Sequence, residues 1–274
     1  MSKDTQLRFN PATDFNGDPG DLTVYAVEDS TAETYTTVST QSTKDVASGG
    51  GTSNISASGV AVAISITAVN DDPNFDNNVA LGSINEDATT NLGETLSSLL
   101  SAQFNDGEDA KTAFTNGSSV NTFVGVSIFS NAANSSTEGV WQYSTDRSTW
   151  VNIGSRTAST ALMLDVNTYV RFNAITHYNG TPGVLSIYAV DDSTTQSFST
   201  NSSTVTFDTS ADDGTSHVGG TSSEISITLN AVNDPPEIQN LDGDAVIYTE
   251  GSTTAAAPIF IDSAQNTVVF DRDI

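Results

Sequence analysis

The chain has 274 residues, with 8 Lys and Arg against 34 Asp and Glu, which gives a formal net charge of −26 at pH 7. So few positive charges argue against nucleic-acid binding, because phosphate recognition needs clustered Lys and Arg. No stretch of about 18 apolar residues occurs, so membrane insertion is not expected either. The absence of cysteine excludes disulfides, thiolate metal sites and a cysteine nucleophile.

An internal repeat organises the chain. Residues 8–10 recur as residues 171–173, and residues 64–71 recur as residues 227–234, in each case 163 positions further on. Chance similarity between Ser- and Thr-rich stretches would not keep one offset, so the pattern indicates a true repeat. The repeat predicts three parts: the C-terminal part of a first β-sandwich repeat (1–72), a complete β-sandwich repeat (73–235) and the N-terminal part of a third repeat (236–274).

Short alternating runs of Val, Ile, Thr, Tyr and Phe, separated by turn residues, predict strands within the complete repeat. Many short antiparallel strands at this spacing favour an all-β fold of tandem β-sandwiches. The predicted strands, in chain order, are residues 79–84, 120–129, 140–143, 150–153, 161–164, 169–174, 184–190, 204–208 and 224–231. One short helix is predicted from four leucines that fall on one helical face: Leu92, Leu96, Leu99 and Leu100.

Acidic and amide residues cluster at the seams between repeats. Ca²⁺ takes about six to eight oxygen ligands and tolerates irregular geometry, and bunched carboxylates repel one another when no cation is present. We therefore expect Ca²⁺ at both seams, joining adjacent repeats into a rod, with a solvated acidic linker as the alternative. The candidate ligands are Asn70, Asp71, Glu86, Asp106 and Glu108 at the first seam, and Asn233, Asp234, Glu250, Asp271 and Asp273 at the second.

These seam residues resemble the motifs of cadherin-like domains. Residues 233–236 (Asn-Asp-Pro-Pro), Glu250 and the Asp271–Asp273 pair are similar to the linker, first-strand Glu and paired-Asp motifs of that family. Residues 189–191 (Ala-Val-Asp) resemble its late-strand Ala-x-Asp motif, which implies that Asp191 is a further ligand. The resemblance implies an Ig-like (cadherin-like) antiparallel sandwich. The chain departs from the pattern at the first linker, which reads Asn-Asp-Asp-Pro.

The complete repeat also resembles the tandem repeats of giant RTX-type adhesins on bacterial surfaces. The matching residues are 86–93, 141–144 with Trp150, 161–164, 170–172 and 178–180. This resemblance implies an extracellular, calcium-stiffened adhesin or spacer at the bacterial cell surface. The partners would be calcium, neighbouring repeats or other copies of the chain, and a cell-surface polysaccharide or protein.

Two other functions stay open, and enzymatic activity is not expected. The chain lacks Gly-x-Ser-x-Gly, His-Glu-x-x-His and P-loop motifs, and a catalytic centre is seldom duplicated in each repeat. One alternative is a filament subunit that polymerises head-to-tail by strand donation between its terminal partial domains. The other is a carbohydrate-binding module that stacks sugars on Trp141 and Trp150, although a place in the core is favoured for both. Residues 14–18 and 240–244 resemble the start of a calcium loop but lack its closing Glu, so they are predicted to be turns.

Overall fold

The computed structural model describes residues 1–211, 214–245, 261–262 and 264–271. Two of the predicted calcium ligands, Glu250 and Asp273, lie outside these residues. Within these residues the regular secondary structure consists of β-strands, apart from one short helix and two 3₁₀ turns, which confirms the all-β prediction. No helix in the described part of the chain is long and apolar enough to cross a membrane.

The strands fall into three groups along the chain. The first segment, residues 1–72, contains β1 (Leu22–Val24) and β2 (Val60–Val62). The middle unit, residues 73–235, contains β3 (Asn74–Phe75), β4 (Val79–Ala80), β5 (Ile84–Asn85), β6 (Glu94–Thr95), α1 (Leu96–Leu100), β7 (Phe104–Asn105), β8 (Phe123–Asn131), β9 (Gly139–Ser144), β10 (Val151–Asn152), β11 (Ala161–Asp165), β12 (Tyr169–Ala174), β13 (Leu185–Asp191), β14 (Thr206–Phe207), β15 (Ser223–Ser226) and β16 (Leu229–Asn230), with 3₁₀ turns at Gly107–Asp109 and Ala158–Thr160. The third segment, residues 236–274, contains β17 (Glu237–Gln239) and β18 (Val268–Phe270).

Each predicted strand of the middle unit overlaps an observed strand, because the alternating side chains do face a core. The helix is shorter than predicted: it begins after Thr95, whose side chain caps the backbone N–H of Ser98. Leu96 and Leu100 are fully buried, but Leu92 lies outside the helix and is 56% exposed. Gly93 separates Leu92 from α1 with a φ of +63°, a left-handed conformation that no helix contains.

Two sheets of the middle unit enclose one core. The first has the strand order β10-β9-β12-β6, and the second has the order β14-β11-β8-β13-β15-β4. Neighbours are antiparallel except β15 and β4, which run parallel. Trp141 and Phe172 from the first sheet and Ile128, Leu164 and Ile187 from the second are fully buried in the same hydrophobic cluster. Side chains from both sheets of the middle unit therefore share one hydrophobic core.

The strand pairing repeats at the offset of 163 residues seen in the sequence. Both β1–β2 and β13–β15 are antiparallel pairs with the same register. Pairings that recur at this offset are Leu22–Val62 as Leu185–Ile225, Gly17–Ile66 as Gly180–Leu229, and Val27–Ile55 as Val190–Val218. The first segment thus has the pairing pattern of the C-terminal part of the middle unit.

The third segment has the pairing pattern of the opposite end of a unit. Ile238 pairs with Val269 between β17 and β18, as Phe75 pairs with Phe104 between β3 and β7. Both strand pairs are antiparallel, and both second strands are followed at once by an aspartate, Asp271 in one case and Asp106 in the other.

Candidate metal centre

Acidic side chains from separate segments converge at the first seam. Strand β7 ends just before Asp106, the following 3₁₀ turn ends at Asp109, and β13 ends at Asp191. All three side chains are buried, with exposed fractions of 6%, 3% and 0%. Asp71, in the linker between the first segment and the middle unit, donates its backbone N–H to Asp109 Oδ1 over 3.3 Å. Burial of this many carboxylates is unusual, because Asp is mostly exposed unless it has a charged or metal partner.

Two oxygens of this cluster lack any hydrogen-bond donor. Asp106 Oδ2 accepts the backbone N–H of Asn121 over 2.6 Å, but its Oδ1 is buried without a partner. Asp191 Oδ1 accepts the backbone N–H and the hydroxyl of Ser193, at 2.8 and 2.6 Å, but its Oδ2 is also buried without a partner. Buried side-chain oxygens are nearly always satisfied by protein, water or an ion. These two oxygens are therefore candidate cation ligands, although among the described residues it is Asp87, His177 and Asp234 that bring three ligand atoms within 4.8 Å of one another.

The charges at the first seam destabilise one another. Burial, and then the charges of Asp109, Asp191 and Asp71, raise the pKa of Asp106 to about 6, despite the hydrogen bond from Asn121. Burial, followed by the charges of Asp71 and Asp191, also raises the pKa of Asp109. Lys111 opposes this by lowering the pKa of Asp109 and of Asp71, although burial still dominates. In the described part of the chain, none of the ion pairs within 4.0 Å involves the aspartates of this cluster, which are Asp71, Asp106, Asp109 and Asp191. Among the described residues, no basic side chain therefore lies at contact distance from them.

Asn70 organises the linker through hydrogen bonds. Its Nδ2 donates to the carbonyls of Asp71 and Ser216, at 2.9 and 3.1 Å, and its Oδ1 accepts from Asn121 Nδ2 over 2.7 Å. Asn233 makes the equivalent bond at the second seam, from its Nδ2 to the Asp234 carbonyl over 3.0 Å. Asn70 was predicted as a ligand, but its side-chain oxygen already has a donor in this structure.

Two predicted ligands of the first seam, Glu108 and Glu86, do not join the buried cluster. The Glu108 side chain is exposed, whereas the neighbouring Asp109, which was not among the predicted ligands, is buried. Glu86 lies at the second seam, where Oε1 accepts the backbone N–H of Val232 over 2.7 Å and Oε2 accepts from Asn179 over 3.2 Å. Strands β5 and β16 run parallel, so the residues that follow them emerge at the same edge.

A histidine lies between two carboxylates at the second seam. His177 Nδ1 is 2.7 Å from Asp234 Oδ2 and 3.1 Å from Asp87 Oδ2. The His177 backbone N–H also donates to Asp87 Oδ1 over 2.9 Å. One ligand atom from each of the three residues lies within 4.8 Å of the others, so the group has the spacing of a metal site. Asp271 follows β18 and is half-buried.

The first seam has an aspartate at the position of His177. Asp14 precedes it by 163 residues, and the two residues have φ angles of +57° and +60°. This left-handed backbone conformation is uncommon for residues other than Gly, although Asn, Asp and His adopt it more often than most. The charge of Asp14 raises the pKa of Asp71 beyond the effect of burial, and Asp71 is the counterpart of Asp234. The sequence offset alone could have identified this pair, but Asp14 was not among the predicted ligands because residues 14–18 lack the closing Glu of a calcium loop and were predicted to be a turn.

The first segment touches the middle unit next to this cluster. The backbone N–H of Asp18 donates to the Thr115 carbonyl over 2.8 Å, and the buried Asn16 accepts the Ser118 N–H over 2.7 Å. Gly17 has a φ of +94°, and an added Cβ would lie 2.8 Å from the Thr115 carbonyl oxygen. The turn therefore ends at Asp14, earlier than predicted, and Gly17 and Asp18 instead form isolated β-bridges to Ile66 and Thr115, the second of which contacts the neighbouring unit.

The two tryptophans differ in burial. Trp141 is fully buried and donates from Nε1 to the Gly183 carbonyl over 2.7 Å, so its predicted place in the core is confirmed. Trp150 is half-buried, and the guanidinium carbon of Arg171 lies 3.9 Å from its ring centroid. A Cβ added at Gly93 would lie 2.8 Å from the Trp150 ring. Arg171 thus occupies one face of the Trp150 indole, and carbohydrate binding through Trp150 stays a prediction.

Comparison of the chain with protein-family profiles, with curated proteins and with solved structures found no match. Its function must therefore be argued from the chemistry of the seams themselves.

Proposed function

We propose that the protein is a non-enzymatic, calcium-binding, extracellular repeat segment of a bacterial surface protein, built from cadherin-like sandwiches. It serves in adhesion or as a spacer that calcium stiffens at the seams. The observation that carries this proposal is the pair of buried, unpartnered oxygens on Asp106 and Asp191 at the first seam. Both belong to a cluster that includes Asp71 and Asp109.

The donor chemistry favours Ca²⁺ among common metal ions. The ligands available at the first seam are carboxylate oxygens and neighbouring backbone carbonyls, and the chain contains no thiolate. Ca²⁺ prefers such hard oxygen ligands and accepts an irregular arrangement, whereas Mg²⁺ requires near-octahedral geometry and keeps most of its waters. Side chains from a linker, a 3₁₀ turn and a strand end form an irregular arrangement of this kind.

Calcium would offset a cost that the folded chain otherwise bears. The rise in the pKa of Asp106 from 3.8 to about 6 corresponds to about 3 kcal/mol of unfavourable free energy for the ionised form at neutral pH. Burial accounts for the largest part of this cost and the neighbouring charges for a smaller part, and the attraction of a divalent cation among the aspartates offsets both. Because a ligand that binds only the folded state stabilises it by mass action, calcium should raise the melting temperature.

The position of the cluster explains how calcium would stiffen the chain. Asp71 belongs to the linker, Asp106, Asp109 and Asp191 belong to the middle unit, and Asp14 of the first segment acts electrostatically on Asp71. One cation held by these groups would tie the linker to the middle unit and draw the first segment towards it. The adjacent backbone contact of Asp18 with Thr115 limits rotation at the same place.

A calcium titration of the full chain tests the proposal. We expect calcium to raise the melting temperature of the wild-type chain and EDTA to reverse the increase. The double variant Asp106→Asn/Asp191→Asn should lose most of this increase, while the matched variant Glu108→Gln, in the same loop but exposed, should keep it. A wild-type melting temperature that calcium and EDTA both leave unchanged would refute the proposed function. Small-angle scattering should show a longer, less variable particle with calcium.

A further inference from the structure

The imidazole of His177 lies against two carboxylates without an aligned hydrogen bond to either. Its Nδ1 atom is buried, and it takes part in no hydrogen bond with the described part of the chain. The oxygens Asp234 Oδ2 and Asp87 Oδ2 are nevertheless only 2.7 and 3.1 Å away. A hydrogen bond requires the acceptor to lie near the N–H axis, and a lone pair on Nδ1 points along the same axis. The two carboxylates therefore flank the space in front of Nδ1, where a cation would bind.

A single buried carboxylate holds the three segments that carry these groups. Glu86 directly precedes Asp87 and is 3% exposed. One of its oxygens accepts the backbone N–H of Val232, two positions before the aspartate of the linker, and the other accepts from the Asn179 side chain, two positions after the histidine. Polar groups behind the ligands of a metal commonly fix those ligands in this way. The fold thus positions the three groups relative to one another before any ion binds.

Asp87 is oriented with one oxygen towards the imidazole. Its Oδ1 accepts the backbone N–H of His177 over 2.9 Å, which leaves Oδ2 on the side of Nδ1. The side chains of Asp87, His177 and Asp234 are 35%, 28% and 22% exposed. Solvent therefore reaches the group, so that an ion can enter and water can complete its coordination.

The donor atoms of this group differ from those of the first seam. The first seam offers carboxylate and carbonyl oxygens, which suit Ca²⁺. The second seam adds an imidazole nitrogen to two carboxylates. Ca²⁺ and Mg²⁺ take oxygen ligands, whereas Zn²⁺ readily combines histidine with aspartate. Zinc sites with three protein ligands commonly take a water molecule as the fourth.

The spacing of the group also fits a small ion. In a tetrahedral zinc site with bonds of about 2.0–2.2 Å, the ligand atoms are about 3.3–3.6 Å apart. Here one atom from each residue lies within 4.8 Å of the others, and Nδ1 is 2.7 and 3.1 Å from the two oxygens. Side-chain movements of about half an ångström would therefore admit Zn²⁺.

We propose that the second seam is a zinc site, instead of the calcium site predicted there, in which His177 Nδ1, Asp87 Oδ2 and Asp234 Oδ2 bind one Zn²⁺ and water supplies the fourth ligand. Asp87 and His177 belong to the middle unit, and Asp234 belongs to the linker that follows β16. The ion therefore fixes the direction in which the chain leaves the middle unit, and the two seams respond to different metals. This goes beyond the proposed function, because the zinc site does not require calcium at the first seam.

A zinc titration of the full chain, stripped of metal and then supplied with excess calcium, tests this proposal. Calcium occupies sites made of oxygen ligands alone, and competition with a zinc chelator excludes weak binding to other acidic side chains. We expect one Zn²⁺ per chain, bound at least about tenfold more weakly by His177→Asn and by Asp87→Asn. Asn adopts the left-handed conformation of both positions, so the backbone is kept. The matched control is His217→Asn, which changes the other histidine of the chain and should leave the affinity unchanged.

Nuclear magnetic resonance of the unmodified chain guards against variants that fail to fold. The chain contains two histidines, so their imidazole signals are readily separated. Zinc should shift the ¹⁵N signal of His177 Nδ1 and leave the signals of His217 in place. If zinc leaves the His177 signals unchanged, or if both seam variants bind zinc as tightly as the wild type, the proposal is wrong and the group is an ion pair of the folded chain. It is equally overturned if excess calcium abolishes zinc binding, since the seam then does not select for a nitrogen ligand.

Discussion

The two seams share a backbone pattern but differ in charge at one position. At the first seam Asp71 experiences the charge of another carboxylate, that of Asp14, whereas at the second seam the equivalent Asp234 is 2.7 Å from His177 Nδ1. Asp14 and His177 both have left-handed φ angles, so the chain presents either residue from the same kind of turn. A single residue difference at this position therefore changes the charge of a seam, while the backbone conformation there stays the same.

Under the proposed function, this difference predicts that the two seams depend on calcium to different degrees. The first seam concentrates negative charge and leaves oxygens of Asp106 and Asp191 without a partner. At the second seam the imidazole of His177 takes the place of one of these carboxylates, with Nδ1 within 3.1 Å of both Asp87 and Asp234. Like charges at close range favour cation binding, so the seam with one carboxylate fewer should bind calcium less strongly.

Removal of calcium should loosen the first seam far more than the second. With EDTA we expect amide exchange at residues 106–121 to accelerate by at least about tenfold, since repulsion among the aspartates then favours local opening. Exchange at residues 177–179 and 232–234 should change several-fold less. Hydrogen-exchange mass spectrometry with and without calcium resolves the two regions. Equal acceleration at both seams would contradict the comparison.

Exchanging the two side chains should move the calcium dependence between the seams. Asp14→His should lower the number of calcium ions bound, or their affinity by about tenfold, because it replaces one carboxylate by an imidazole that brings no negative charge. His177→Asp should add calcium dependence to the second seam for the opposite reason. Isothermal titration calorimetry measures both, with the exposed Asp21→Asn as the control of equal charge change. Affinities of both seam variants equal to that of the control would show that this position does not govern binding.

The calcium-free protein should become more stable as the pH falls from about 7 to about 5. The pKa of Asp106 is raised from 3.8 to about 6, so the folded state binds its proton more tightly than the unfolded chain does. Stability therefore rises as the pH falls through the folded pKa and levels off below the unfolded value. Melting temperatures in EDTA at several pH values measure this.

The same experiment has two internal checks. The variant Asp106→Asn should show a weaker pH dependence, although the raised pKa values of Asp109 and Asp71 leave part of it. Saturating calcium should suppress the effect in the wild-type chain, since the cation competes with the protons. A pH dependence identical in wild type and variant would assign the effect to the overall charge of the chain.

The strands could be predicted because their side chains alternate between a core and solvent or the outer face of the sheet. The repeat could be predicted because its offset is constant.

The assignment of Glu86 to the first seam was wrong because it followed chain order, whereas the parallel pairing of β5 with β16 brings Glu86 to Val232 instead. Parallel pairing joins segments that are distant in sequence, and the local sequence of residues 84–87 does not predict it.

The choice between Glu108 and Asp109 shows a different limit. Both are acidic and adjacent, and only the direction of the 3₁₀ turn at Gly107–Asp109 decides which carboxylate is buried. Asp14 could have been found from the offset to His177, but its charge matters only because the fold brings it to Asp71. The sequence thus identifies which segments bring acidic side chains to a seam. The conformation of the turns determines which of these carboxylates are buried there and lie close to one another.

The smallest expected difference concerns the two linker asparagines. Asn70 is half-buried and makes three side-chain hydrogen bonds, so Asn70→Ala should lower the free energy of unfolding by about 2 kcal/mol. Asn233 is exposed and makes one such bond, to the Asp234 carbonyl, so Asn233→Ala should cost about 0.5 kcal/mol. Urea unfolding in EDTA measures both. If Asn70 acts through these hydrogen bonds, the difference persists without calcium; if it vanishes in EDTA, Asn70 is a calcium ligand after all.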